Sequence, residues 1–251
     1  MPNPTERFSN RVENYVKYRP GYPKEILEIF REEMDLKPSS LMADIGSGTG
    51  ISTKIFLENG NQVFGIEPNQ AMREASEIFL KDFPRFRAID GTAEKTGLAD
   101  KSVDFIISAQ AFHWFDKAKT PDEFRRILRE NGYLVLIWNE RQLDSTEFLQ
   151  EYERFILKFG TDYQKVRHEN VTKKSIEDIF QIEFQEAIFQ NTQIFDFSGL
   201  KGRILSSSYM PTEESENFHL MIKELNLLFT KYQKNDTIEL LYHTKIFYGK
   251  L

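Results

Sequence analysis

The chain has 251 residues, 40% of them hydrophobic and 29% charged, which is ample for a sizeable core in one large domain or in a core domain with a cap. Its net charge of −6 gives a field that favours neither nucleic acid nor an anionic membrane surface, and the absence of cysteine excludes disulfides, thiolate nucleophiles and zinc–thiolate sites. The opening "MPNPTERFSN" lacks the apolar segment of a signal peptide and no apolar run approaches the ~20 residues that span a bilayer, so the expectation is a soluble, cytoplasmic protein.

In chain order, "KEILEIFREEM" (24–34) is an amphipathic helix and "LMADI" (41–45) a short strand. "ISTKIFLENG" (51–60) is a helix stopped by Asn59-Gly60, a pair tolerant of left-handed backbone. "QVFGIE" (62–67) is the second strand, and Asn69 can N-cap a helix running through Leu80. "RFRAI" (85–89) and "VDFIIS" (103–108) follow, the latter a continuous apolar stretch typical of a strand buried on both faces. Thr120-Pro121-Asp122-Glu123 has the form of a capping box, predicting a helix to Glu130 that Asn131-Gly132 ends, and "YLVLIW" (133–138) is the fifth strand. Strand and helix thus alternate from 41 to 138, the pattern of a parallel sheet covered by helices. Apolar residues at helical spacing over 145–159 and 215–232 predict helices whose aromatic stripes pack a core or cap. "EFQEAIFQ" (183–190) and "ELLYHTKIFYG" (239–249) are strand-like, with the sequence leaving open whether 184–197 is one irregular strand or a hairpin about Asn191-Thr192.

The stretch "DIGSGTG" (44–50) carries the chemistry. Its glycines allow a tight turn and let backbone N–H groups approach a ligand with no Cβ in the way. Ligands of such sheets bind beyond the carboxyl ends of the strands, and Glu67, ending the second strand, can accept from both hydroxyls of a ribose. An adenosine-bearing cofactor follows. A dinucleotide fingerprint needs a third glycine where Ile51 stands, and Asp44 would repel a pyrophosphate but suits an ammonium group. These features disfavour a nicotinamide-dependent oxidoreductase and favour S-adenosyl-L-methionine.

With "DIGSGTG", "GIEPNQAM" (65–72), "GTAE" (91–94), "SVDFIISAQAFHWF" (102–115) and "RILRENGYLVL" (126–136), the sequence resembles the class I S-adenosylmethionine-dependent methyltransferases. "YVKYRPGYP" (15–23) and "SSSYMP" (206–211) extend the resemblance to the small-molecule branch that includes trans-aconitate methyltransferase-like proteins. The resemblance implies an α/β, Rossmann-like fold: a seven-stranded, mostly parallel sheet in the order 3-2-1-4-5-7-6, strand 7 antiparallel, with helices on both faces and a mainly helical cap. It implies a lid or arm over 1–30, a cofactor-binding core over 31–140, a cap over 141–235 holding strand 6, and a last strand over 236–251.

The same resemblance implies roles for individual residues. Gly46, Ser47, Gly48 and Gly50 would cradle the methionine moiety and ribose, and Asp44 would meet the ammonium directly or through water. Glu67 would take the ribose hydroxyls; Pro68 and Met72 would wall the adenine, with Thr92 and Ala93 at its edge. Glu94 would share the role of Thr92, which stands where many relatives carry aspartate. Ala109 and Gln110 would line the route to the sulfonium. Arg19 would pair with a carboxylate of the cofactor or the substrate beneath a lid of Tyr15, Tyr18 and Tyr22; the alternative is a proline-braced arm packed on the sheet. His113, beside Trp114, is a candidate general base or substrate ligand, against the alternative of a loop-capping histidine beside a packed tryptophan. Tyr15, Tyr22, Trp114, Arg141 and Tyr209 are candidate substrate contacts. The run Ser206–Tyr209 lines a pocket from the cap or frays a helix before Pro211. No metal site is expected. The implied activity is methyl transfer to a small molecule, a small carboxylic acid being the candidate acceptor, with no nucleic-acid or membrane partner. The alternative is a non-catalytic S-adenosylmethionine-binding protein whose cap serves a partner.

Overall fold

The computed structural model describes residues 12–163 and 172–251. The first part of the predicted arm and a short piece of the predicted cap therefore lie outside the described residues. Seven strands form one sheet: β1 (Leu41–Ile45), β2 (Gln62–Ile66), β3 (Phe86–Ile89), β4 (Val103–Ala109), β5 (Leu128–Arg141), β6 (Gln185–Phe195) and β7 (Ile238–Lys250). Their order is β3-β2-β1-β4-β5-β7-β6. The pairs from β3 to β5 are parallel; β7 runs antiparallel to both β5 and β6. The expected order and the antiparallel last strand are both present.

Successive residues of the inner strands point to opposite faces, which builds two cores from one sheet. Met42, Phe105, Ile107, Val135 and Ile137 pack with Ile26, Phe30 and Phe56, from α2 (Ile26–Glu32) and α3 (Ile51–Glu58). Ala43, Ile106, Leu134, Leu136 and Trp138 pack with Phe124, Ile127, Ile176 and Phe180, from α5 (Thr120–Ile127) and α7 (Lys173–Phe180). A third cluster makes the cap: α6 (Glu147–Phe159), α8 (Phe197–Leu205) and α9 (Phe218–Tyr232) gather Tyr152, Phe155, Leu200, Met221 and Leu225 around Leu240 and Tyr242 of β7. The aromatic stripes are therefore packing surfaces, as expected. No described helix is long and apolar enough to cross a membrane.

Three local expectations are corrected. The capping box at Thr120 does not form: Thr120 is already helical, and the Glu123 carboxylate accepts instead from the Thr96 N–H and hydroxyl, each at 2.7 Å, and from Arg126. Tertiary partners outcompete the local one. The same helix ends at Ile127, not Glu130, because Leu128 already pairs with Val103; Asn131 (φ 61°) sits in a bulge before Tyr133 regains register opposite Phe105. Residues 185–195 are one strand, with Asn191 and Thr192 in unbroken register against Tyr242 and Leu241, so there is no hairpin.

The N-terminal α1 (Val12–Tyr18) lies over the carboxyl ends of the central strands. The Tyr18 ring packs on Gly202 of α8, where a Cβ would collide with it. The segment is fastened by Gln193 Nε2 to Tyr18 O (3.1 Å), Arg19 to Ser206 O (2.9 Å), and Asn139 and Asn191 to Gly21 O (3.0 and 2.9 Å).

Candidate active site

β1 ends at Ile45 and the chain turns at once into α3. Gly46 (φ 69°), Gly48 (φ 55°) and Gly50 (φ 85°) all hold left-handed backbone, but for different reasons. A Cβ on Gly48 would enter open space, whereas one on Gly50 would collide with Leu80. Gly50 is therefore a helix-packing glycine, and it lines neither cavity. Gly48 is where the backbone faces empty volume, and Gly46 shares the wall there.

Two cavities meet over this turn. One, of about 210 Å³, is walled by Glu67, Pro68, Met72, Thr92, Ala93, Glu94, Trp114 and Phe115. The other, of about 410 Å³, runs under α1 to the cap. Tyr15, Gly46, Gly48, Ala109, Gln110 and Trp114 border both. Gln110 holds φ 60° at the end of β4, an unusual conformation for a side-chain-bearing residue. Its Nε2 donates to Asn139 O at 3.0 Å, and its buried Oε1 has no partner among the described residues.

In the smaller cavity, Glu67 Oε2 accepts from the Gly48 N–H at 3.0 Å and Oε1 from the Asn69 N–H at 2.9 Å. Burial pushes its carboxyl above the ordinary value, against the pull of those two amides. Asn69 caps α4 (Gln70–Phe79) as expected, its Oδ1 accepting from the Met72 N–H at 3.0 Å, which sets Met72 in the wall. Glu94 turns partly away, accepting from the Asp116 N–H at 2.8 Å.

Asp44 is fully buried beneath the turn and belongs to neither cavity wall. Ser52 and Thr53 hydroxyls donate to its Oδ2, each at 2.7 Å, while Oδ1 has no partner among the described residues. Burial raises its pKa to about 6 despite those hydroxyls. A buried, half-satisfied carboxylate beneath a glycine turn suits a cationic group held above that turn.

The larger cavity is lined by Tyr15, Arg19, Tyr22, His113, Trp114, Arg141, Tyr163, Arg203, Ser208, Tyr209 and Tyr242. It brings together every substrate candidate named from the sequence. His113 lies in a 3₁₀ turn (Phe112–Trp114) just past β4, its ring 4.6 Å from that of Trp114. Arg141 is less available than expected: it is ion-paired with Glu153, stacks 5.0 Å from the Tyr152 ring, and shares Glu153 with the Tyr163 hydroxyl. Tyr18 faces the cap, not the cavity. The serine run splits: Ser206 and Ser207 bond Arg203 at the end of α8, and Ser208 and Tyr209 line the cavity. Tyr163 and Tyr242 went unread in the sequence. Tyr242 had a signal only in pairing, since the antiparallel register sets it opposite Arg141.

The comparisons converge on one family. Residues 43–136 match the methyltransferase domain. The chain is thus similar to methyltransferases, the stretch from β1 into β5 matching their domain. It is 26% identical over 242 residues to an uncharacterized methyltransferase of Schizosaccharomyces pombe, covering 92% of each chain. An uncharacterized methyltransferase of Mycobacterium tuberculosis is 36% identical over 136 residues, 53% of this chain and 52% of that one. Among solved structures, a putative type II methyltransferase from Anaeromyxobacter dehalogenans superposes with a TM-score of 0.65 at 20% identity, covering 93% of this chain and 98% of that one. The residues present fit the methyltransferase cofactor. The smaller cavity offers an acidic acceptor between apolar walls, the glycine turn leaves room above Gly48, and Asp44 keeps an oxygen in reserve.

Proposed function

We propose that this methyltransferase acts on a compact small-molecule acid. The observation that carries the reading is the larger cavity: at about 410 Å³ it sits in the lower part of the ~300–1,000 Å³ range of small-molecule sites, and it must also admit the methionine end of the cofactor. What remains is too small for a folded macromolecule and is enclosed by tyrosines and arginines. The sequence resemblance to trans-aconitate methyltransferase-like proteins points the same way.

In this reading the core over 31–140 holds the cofactor, the described parts of the arm (to residue 30) and of the cap (141–235) close the acceptor chamber, and the last strand (236–251) completes the sheet. Glu67 takes the ribose hydroxyls; Pro68, Met72, Thr92 and Ala93 enclose the adenine; Gly46, Ser47 and Gly48 border the methionine end above Asp44. Bound there, the cofactor would supply the electrophilic methyl group of its sulfonium to a carboxylate oxygen of the acceptor, leaving a methyl ester and S-adenosylhomocysteine. The chain's task is to hold the acceptor oxygen in line at about 3–3.5 Å with water excluded. A carboxylate is already a nucleophile, so His113 positions the acceptor; it acts as a base only for an acceptor that must lose a proton.

The test is a turnover screen of the purified protein with S-adenosylmethionine against small acids, phenols and amines, read by S-adenosylhomocysteine release and product mass. Turnover confined to the acids is expected. Robust methylation of RNA, DNA or protein, with none on small acids, overturns the substrate class.

A further inference from the structure

Among the described residues, two guanidinium groups of the larger cavity have no acidic counterpart. Arg19 donates to Ser206 O, lies 4.9 Å above the Tyr15 ring, and keeps a buried Nε without a partner. Arg203, 8% exposed, donates to Ser207 Oγ at 3.0 Å and approaches Tyr242 Oη at 3.4 Å. Neither has a carboxylate within ion-pairing distance among the described residues, whereas Arg141 in the same wall is matched by Glu153 and Glu140 is matched by Lys245. The two guanidiniums also sense each other. Burial and then the neighbouring Arg203 hold the pKa of Arg19 below its usual value, while Arg203, though buried, is held above its usual value.

Burying two like charges without counter-ions is unfavourable unless ligands bring the anions. The cofactor brings one carboxylate. Arg19 is on its side: Tyr15, on which it stacks, borders both cavities, and Tyr22, three residues on, lies in the field of Asp44. Arg203 stands on α8 of the cap, and its own hydrogen-bond partners Ser207 and Tyr242 come from the cap and β7, whereas Arg19, though it reaches Ser206 O at the end of that helix, stacks on Tyr15 of the arm. One positive charge is left over, on the acceptor's side.

Resting on the methyltransferase reading above, we propose that Arg203 is the specificity residue of the chamber, binding a carboxylate of the acceptor while Arg19 binds the carboxylate of the cofactor. A guanidinium fork matches a planar carboxylate with two parallel hydrogen bonds, and Ser208 lines the same cavity with a hydroxyl that can serve a remaining lone pair. The group bound there is a recognition group. In a dicarboxylate the second carboxylate is the one presented to the methyl.

The test uses the full chain saturated with S-adenosylhomocysteine. Calorimetric titration follows a panel of three- to eight-carbon mono- and dicarboxylates, each beside its neutral amide. At least one acid is expected to bind ten or more times tighter than its amide. Arg203→Gln should lose that preference and keep S-adenosylhomocysteine affinity within about twofold; Arg19→Gln should lose S-adenosylhomocysteine affinity tenfold or more. Arg203→Lys keeps the charge without the fork, and is expected to bind the acid at intermediate strength if the glutamine variant does not fold. The wild-type acid-to-amide ratio needs no variant at all. If no acid outbinds its amide, or if Arg203→Gln weakens S-adenosylhomocysteine instead of the acid, the assignment is overturned. Failure of the wild type to bind S-adenosylhomocysteine would sink the cofactor reading itself, a separate result.

Discussion

Replacing Glu67 by glutamine keeps the side chain's shape and removes one acceptor. Its two oxygens now accept from Gly48 N–H at 3.0 Å and Asn69 N–H at 2.9 Å, so in either amide orientation the new NH₂ faces a backbone donor. One brace of the glycine turn is lost, costing about 1 kcal/mol of stability in the free protein. In the complex a second loss adds to it: one ribose hydroxyl that donated to a carboxylate meets an amide instead. A charge-assisted hydrogen bond contributes about 1–3 kcal/mol, and about 1.4 kcal/mol is tenfold, so S-adenosylhomocysteine affinity should fall about fivefold to a hundredfold. Glu67→Ala, losing both acceptors, should lie at the upper end. Calorimetric titration supplies the affinity and thermal unfolding checks the fold. Unchanged affinity in a folded variant would refute the ribose assignment.

Three more outcomes are expected. Gly48→Val should abolish S-adenosylhomocysteine binding in an equilibrium titration, because its side chain would stand in open space shared by both cavities and its backbone would be held at φ 55°. Asp44, with a pKa of about 6 in the free fold against 3.8 when exposed, binds its proton more tightly folded than unfolded. Stability of the free protein should therefore fall as pH rises from about 4 to 6 and then level, while affinity for a cationic ligand should weaken as pH drops below about 6; Asp44→Asn should flatten both profiles. Hydrogen exchange over Tyr15–Tyr22 should slow when S-adenosylhomocysteine binds, since Tyr15, Arg19 and Tyr22 line the cavity, and equal exchange in both states would make the segment a fixed arm.

The sheet was legible in the sequence wherever local and global demands agree. The short apolar strands, the glycine turn, Asn69 as a cap and the aromatic stripes each serve one purpose, visible in their neighbours in sequence. The misreadings fall where a distant partner wins. Glu123 prefers Thr96 and Arg126 to its own helix start, and Leu128 leaves the helix to pair with Val103. Gly50 looks like its fellow glycines until Leu80 is seen against it. In the candidate site, the residues on the core's strand ends were nameable because short motifs carry them, and the structure gathers most of them around the two cavities. The chamber's far wall was harder: Tyr163 and Tyr242 reach it through cap packing and antiparallel pairing, for which no short motif exists. Arg141 was marked for its charge, but Glu153, one helix away, claims it.

The most direct test of the account is the structure of the protein crystallised with S-adenosylhomocysteine. The account predicts adenine between Met72 and Ala93, both ribose hydroxyls on Glu67, the homocysteine end beside Gly46 and Gly48 with its carboxylate on Arg19, and the sulfur facing the chamber that holds Arg203. A nucleoside bound elsewhere, or a sulfur turned away from that chamber, would contradict it.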